Sequence, residues 1–303
     1  MAKTGRGPAL QILSVTAVAV LTMLSWLPFG ALTRVGAGLG ELFFHLDRRR
    51  KTIGLDNLRL ALGDTLSEDE RLALLKRVYK NMGRSALEFA GIPRLSVEKL
   101  ERFVTIEGLE KLKAAKEAGQ GIILLAAHFG NWELLAQSLA LHGYSGYAVG
   151  RRANVPLLHN YIVRCRESHG NRIIVRDGAI RRVLSVLRQG EILGILGDQH
   201  GSATQGMMID FFGHPAPTDG DIARIILKTQ ATVLPTFIVR HEDETHTLYV
   251  GDPLTFNVTG NLEEDVLQVT KTYMQSIEKM VRKHPDQWLW MHRRWLRRNI
   301  PTP

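Results

Sequence analysis

An α/β fold, built on a mixed and mostly parallel sheet flanked by helices, is predicted by three observations. Short runs rich in branched residues recur at 122–127, 147–150, 172–175, 192–196, 233–239 and 247–250, and helix-period segments at 132–141, 157–169, 179–188 and 221–230 separate them. The 303 residues are 45% hydrophobic and 23% charged, a composition that folds around a core and excludes disorder and collagen-like repetition. A mean hydropathy of −0.07 leaves room for one membrane span at most.

Taken in order, residues 9–27 carry no charge over about 19 positions, close to the minimum for a membrane-crossing helix, and Trp26, Pro28 and Phe29 close the run. The expectation is an N-terminal membrane anchor helix occupying 1–32. A cleaved signal peptide is the rival, since Lys3 and Arg6 precede the run, but the run is long for one and 27–32 lacks a small-x-small site. Arg34 with Arg48, Arg49, Arg50 and Lys51 outweighs Lys3 and Arg6, which places the rest of the chain on the cytoplasmic side of the inner membrane. The same basic cluster would attract anionic headgroups. A single cysteine, Cys165, forms no intramolecular disulfide, in keeping with a reducing compartment.

Residues 33–103 read as a helical, membrane-proximal subdomain. Ser67-Glu-Asp-Glu70 is a capping box, and Leu72, Leu74, Leu75, Val78, Met82 and Leu87 continue the helix it opens to about Phe89. The α/β unit then fills 104–303 and ends in a long helix pattern at 262–284. A net charge of +9 implies an anionic partner, but no helix-turn-helix, zinc finger or aromatic RNA-binding motif supports nucleic acid. His142, His169, His200 and His214 lack paired ligand spacing, so neither a metal nor another cofactor is expected.

The chemistry-bearing segment is 122–133, which ends His128-Phe-Gly-Asn-Trp-Glu133. A buried strand ends in His128, Gly130 turns the chain, Asn131 caps, and Trp132 opens a helix. His128 thus lies at the carboxyl end of a strand, where α/β sheets place their sites. Glu133 falls in the first helical turn, where the dipole favours an ionised carboxylate. Five residues apart, the two would face away from each other on one helix, but they meet across a strand–turn–helix corner. A carboxylate on one imidazole nitrogen fixes the tautomer and makes the other nitrogen a general base for a hydroxyl. A satisfied strand-end histidine and a dipole-favoured glutamate look the same without any chemistry.

His128-Phe-Gly-Asn-Trp-Glu133 resembles the His-x4-Asp/Glu motif of the bacterial lipid A late acyltransferases, the lauroyl and myristoyl transferases. Arg166-Glu-Ser-His-Gly170, Gly197-Asp198-Gln199, Phe211-Phe-Gly-His-Pro-Ala-Pro-Thr218 and the block from Pro285 to Trp295 resemble further segments of that family, as does Asn57-Leu58. The resemblance runs in order along nearly the whole chain. It implies a glycerolipid acyltransferase-like fold and transfer of a fatty acyl chain from acyl-carrier protein, or acyl-CoA, to a hydroxyl of a membrane glycolipid, foremost a lipid A precursor. In that reading His128 is the base and Glu133 orients it, without a covalent acyl-enzyme. Arg166 stands near the oxyanion or an acceptor phosphate, and Asp198, Asn131 and Gln199 are further polar groups of the site.

Arg293, Arg294, Arg297 and Arg298 offer contacts to an acidic carrier protein or to acceptor phosphates, while Trp288, Trp290 and Trp295 are expected in the core. A phosphatidylinositol-mannoside acyltransferase is the rival within acyl transfer. A membrane thioesterase, in which the same base activates water, and a non-catalytic membrane-binding protein are the rivals of other classes.

Overall fold

The computed structural model describes residues 8–176, 178–199 and 206–295. Helices come first: α1 (Pro8–Leu24), α2 (Phe29–Leu46), α3 (Arg48–Leu62), α4 (Glu68–Gly91) and the single turn α5 (Val97–Leu100). The capping box at the start of α4 forms as expected: the Glu70 N–H donates to the Ser67 hydroxyl at 3.3 Å, and the Ser67 N–H to the Glu70 carboxylate at 2.7 Å. Helices α2 and α4 pack backbone to backbone. A Cβ on Gly36 would come within 2.5 Å of the Gly83 carbonyl, so only glycine permits this approach.

The expected membrane-crossing anchor is not supported. Helix α1 has 17 residues, about 25 Å at the helical rise against a hydrocarbon core of about 30 Å. Among the described residues no helix is long and apolar enough to cross a membrane. The charge-free run continues to Leu27, but the helix does not, because Ser25 and Trp26 close it in a turn. Arg94 donates to the Ser25 hydroxyl and stacks over the Trp26 ring, its guanidinium carbon 3.9 Å from the ring centroid. Lys3 and Arg6 lie outside the described residues.

From Val104 strands and helices alternate: β1 (Val104–Glu107), α6 (Leu109–Glu117), β2 (Ile122–Ala126), α7 (Trp132–Leu141), β3 (Tyr147–Gly150), α8 (Pro156–Glu167), β4 (Arg172–Val175), α9 (Ala179–Arg188) and β5 (Ile192–Leu196). The hairpin β6 (Met207–Phe211) and β7 (His214–Thr218) follows, then α10 (Asp221–Thr229), β8 (Thr232–Arg240), β9 (His246–Val250) and α11 (Leu262–Lys283). Among the described residues the main sheet has seven strands in the order β1-β9-β8-β2-β5-β3-β4. Strands β8, β2, β5, β3 and β4 run parallel, and β9 turns antiparallel to β8. The mixed, mostly parallel sheet is as expected. Strand β1 and the hairpin are additions to the strands expected from the sequence, and the hairpin's turn holds Phe212 and Gly213 at positive φ.

Alternation along β2 builds two apolar layers. Ile122 and Leu124 pack with Leu134, Leu135 and Leu139 of α7, whereas Ile123 and Leu125 pack with Val183, Val186 and Leu187 of α9. Right-handed crossovers explain the division: β2–α7–β3 and β3–α8–β4 advance in one direction and β4–α9–β5 returns, so α9 lies across the sheet from α7 and α8. Helix α1 packs on α8 and α4 on α7, while Phe44, Leu58, Leu74, Leu75 and Val78 of α2, α3 and α4 join the apolar cluster that holds the buried face of α9.

Candidate active site

His128 and Asp198 are brought together by strand register. Ala126 of β2 pairs with Leu196 of β5 in parallel, and two residues beyond each lie His128 and Asp198, side by side at the carboxyl ends of adjacent strands. The His128 N–H donates to Asp198 Oδ2 at 3.0 Å, and its Nδ1 lies 2.9 Å from Asp198 Oδ1. Trp288 Nε1 donates to the same Oδ2 at 2.8 Å. Burial pushes the Asp198 carboxyl up, but His128 beside it, the ring hydrogen bond and the Trp288 and backbone donors hold it below its ordinary value. An ionised Asp198 only accepts hydrogen bonds, so Nδ1 carries the proton and Nε2 presents its lone pair. The Gln199 amide nitrogen lies 3.1 Å from that Nε2. The Trp132 ring meets the imidazole edge to face, centroids 5.1 Å apart.

Glu133 does not contact His128 in the way the sequence predicts. Its carboxylate is forked by Arg166 of α8, with Nε 3.1 and 3.0 Å from the two oxygens and Nη2 2.5 Å from Oε1. The reason is geometric: the first turn of α7 sends residue 133 toward α8, while β5 has already filled the Nδ1 side of the histidine. The pair is partly open, with Arg166 30% and Glu133 17% exposed. Burial opposes the Arg166 charge, and Glu133 outweighs it, raising the guanidinium above its usual value.

Asn131 caps α7 as expected, but it is buried and turned inward instead of toward a substrate. Its Oδ1 accepts the Leu134 N–H at 3.0 Å as the cap of α7, and its Nδ2 donates to Glu88 Oε2 at 2.7 Å. Glu88, on α4, is completely buried and also accepts from Thr33 Oγ1 at 2.8 Å and from Arg240 Nη2 at 2.5 Å. Burial pushes Glu88 up, and the Arg240 charge, assisted by the hydrogen bonds, holds it below its ordinary value. This network ties the helical part to the cap of the His128 corner. Nothing in the local sequence marks Glu88, which sits in an ordinary helix pattern.

The corner itself is held by the segment after α11. Gly130 has φ +56°, donates its N–H to the Gln287 carbonyl at 2.8 Å, and would place a Cβ 2.0 Å from the Ile238 carbonyl oxygen. Phe129 bridges Trp288, and the Leu289 N–H donates to the His128 carbonyl at 3.0 Å. Gln287 exchanges hydrogen bonds with the Arg240 backbone at 2.8 and 2.7 Å. Asn57 of α3 donates to the carbonyls of Trp290 and His292, both at 2.7 Å.

Trp288, Trp290 and Trp295 are buried as expected, but Trp288 also orders Asp198, a role assigned to none of them in advance. Arg294, expected at a partner surface, is fully buried and donates to the Pro217 carbonyl and the Thr218 hydroxyl at 2.6 and 2.7 Å. Arg293 is exposed, and Arg297, Arg298 and His200 lie outside the described residues. Cys165 is buried, and burial raises its thiol above the ordinary range. Among the described residues no cluster of three or more His, Cys, Asp or Glu side chains has a metal-holding arrangement.

Over residues 6–297 the sequence matches the family described as bacterial lipid A biosynthesis acyltransferase. The chain belongs to this family. A lipid A biosynthesis acyltransferase of Haemophilus influenzae is 26% identical over 283 residues, 92% of this chain and 88% of the relative. The lipid A biosynthesis lauroyltransferase of Escherichia coli is 22% identical over 290 residues, 94% and 92% of the two chains. A phosphatidylinositol mannoside acyltransferase of Mycobacterium tuberculosis is 26% identical over 226 residues, 72% and 68% of the two. This lipid A family protein is an acyltransferase.

Proposed function

We propose that the protein transfers a fatty acyl chain from the thioester of acyl-carrier protein to a hydroxyl of a lipid A precursor. The observation that carries this reading is the His128–Asp198 pair, which in the neutral ring puts the proton on Nδ1 and leaves Nε2 as the acceptor at the carboxyl end of the sheet. Nε2 takes the acceptor hydroxyl's proton as Gln199 yields its place. The oxygen then attacks the thioester carbonyl, and the tetrahedral intermediate collapses by breaking the carbon–sulfur bond. The thiolate leaves and takes that proton from His128, which restores the free Nε2. Asp198 stabilises the imidazolium formed in between. The Glu133 fork uses Nε and Nη2 of Arg166, so Nη1, outside that fork, is the group assigned to the developing oxyanion.

The exposed apolar side chains of α1 and α2, Met23, Leu42, Phe43 and Leu46 among them, support placement of the enzyme against the bilayer that holds its acceptor. The lipid A-type relatives that align along nine-tenths of this chain favour a lipid A precursor over phosphatidylinositol mannoside as the acceptor. The deciding experiment incubates the full chain with labelled acyl-carrier protein, with and without the acceptor glycolipid. Label appearing in glycolipid, lost on His128→Ala, is the expected result. Release of free fatty acid at the same rate without acceptor would instead make the protein a thioesterase.

A further inference from the structure

With Arg294 buried, two groups of exposed basic side chains remain, one at Arg48, Arg49 and Arg50 and one at the free edge of the sheet. Strand β4 is the outermost strand, and Arg176 and Arg181 follow it, while Arg151 and Arg152 follow the neighbouring β3. All four are exposed, and among the described residues none of them is in an ion pair. Helix α9 reads Ala-Ile-Arg-Arg-Val-Leu-Ser-Val-Leu-Arg, with no acidic residue of its own. Glu167, the acid at the base of β4, spends its Oε1 on the Ile173 N–H at 3.0 Å. Between the arginines stand two exposed apolar side chains, Val175 at 38% and Ile180 at 51%. An apolar centre within a charged rim is the make-up of a protein interface.

The position fits the chemistry. The carboxyl ends of β3 and β4 open on the same end of the sheet as His128 after β2 and Asp198 after β5. From β4 to β2 is three strand spacings, roughly 15 Å. A donor docked at the edge therefore needs a flexible arm to bring its thioester to Nε2. Helix α9 lies across the sheet from α8, on which the apolar α1 packs.

We propose that this edge, centred on Val175 and Ile180 and rimmed by Arg151, Arg152, Arg176 and Arg181, is the docking surface for the acidic acyl-carrier protein. The inference rests on the carrier-thioester reading of the reaction given above. Its test is the double variant Arg176→Glu/Arg181→Glu in the full chain, with circular dichroism to show that it folds. Association with fluorescently labelled acyl-carrier protein is followed by anisotropy, and transfer from the carrier thioester is compared with transfer from acyl-CoA.

Carrier affinity and kcat/KM for the carrier thioester should each fall at least about tenfold, with turnover from acyl-CoA within about twofold of the parent. Unchanged carrier binding, or an equal loss with both donors, overturns the docking surface. Intact carrier binding with reduced sedimentation on anionic phospholipid vesicles also overturns it, in favour of a membrane contact. A parent chain that binds carrier through this edge yet transfers from neither donor would refute the reaction and leave the surface standing.

Discussion

Asp198 accepts both the backbone N–H and the ring Nδ1–H of His128, so one carboxylate fixes the histidine's position and its tautomer together. Asp198→Asn keeps the volume but inverts the donor pattern. The amide oxygen takes the Trp288 and backbone donors, and the amide nitrogen then donates to Nδ1 and puts the proton on Nε2. Turnover should fall about 10³-fold or more with the fold intact, as expected when a base holds the wrong tautomer. Steady-state transfer assays with a thermal melt alongside check this, and near-parental kcat would refute the pairing's role.

Glu133 and Arg166 should behave as a unit. Glu133→Gln and Arg166→Gln each disrupt the same fork, so the double variant should lose little more than the worse single, a departure from additivity of about 1–3 kcal/mol in transition-state energy. Additive losses across the kinetic cycle would show that the two act separately.

The buried pair between Glu88 and Arg240 predicts an asymmetry. Glu88→Ala leaves the Arg240 guanidinium buried without its main partner and removes the acceptor from Asn131, at a cost of about 3–5 kcal/mol in unfolding free energy. Glu88→Met combined with Arg240→Met should cost less than the sum of the singles. Chemical denaturation of the three variants gives the answer.

His246 supplies a pH dependence. Burial first, then the nearby Arg240 charge, depresses its pKa to about 3, against 6.5 ordinarily. Between those values the unfolded chain binds a proton that the folded chain refuses, so this residue's contribution is full above about pH 6.5 and declines as pH falls toward 3. The slope from this one group approaches about 1.4 kcal/mol per pH unit. Denaturation at pH 7 and pH 5 should show the parent losing stability and His246→Leu losing less; parallel losses would exclude the assignment.

Gly130→Ala should cost activity and stability together. The left-handed backbone strains alanine by about 1–2 kcal/mol, and the new methyl collides with the Ile238 carbonyl, which displaces the corner carrying His128. A folded variant with parental turnover would count against that account.

Much of this was written in local sequence. Strand and helix periods placed β2 to β5, α7 and α9 within a residue or two, and the strand–Gly–Asn corner placed His128 at the sheet's carboxyl end. What local pattern does not encode is register. The pairing of Ala126 with Leu196 decides that Asp198, and not the nearer Glu133, reaches the imidazole. Glu88 and Trp288 act across long loops of chain, and hydrophobic periodicity cannot separate a partner from a filler. In the charge-free N-terminal run the difference lay in where the helix stops, at Leu24, which tertiary contacts of Ser25 and Trp26 with Arg94 settle.

The indole of Trp288 reaches Asp198, and the backbone around it clamps Phe129 and Gly130, so the His128 corner is finished by a stretch far downstream of the histidine it holds. During synthesis the sheet strands that flank His128 emerge and can pair well before that stretch leaves the ribosome. A prematurely terminated chain that stops short of Pro285 would therefore carry His128 without its clamp.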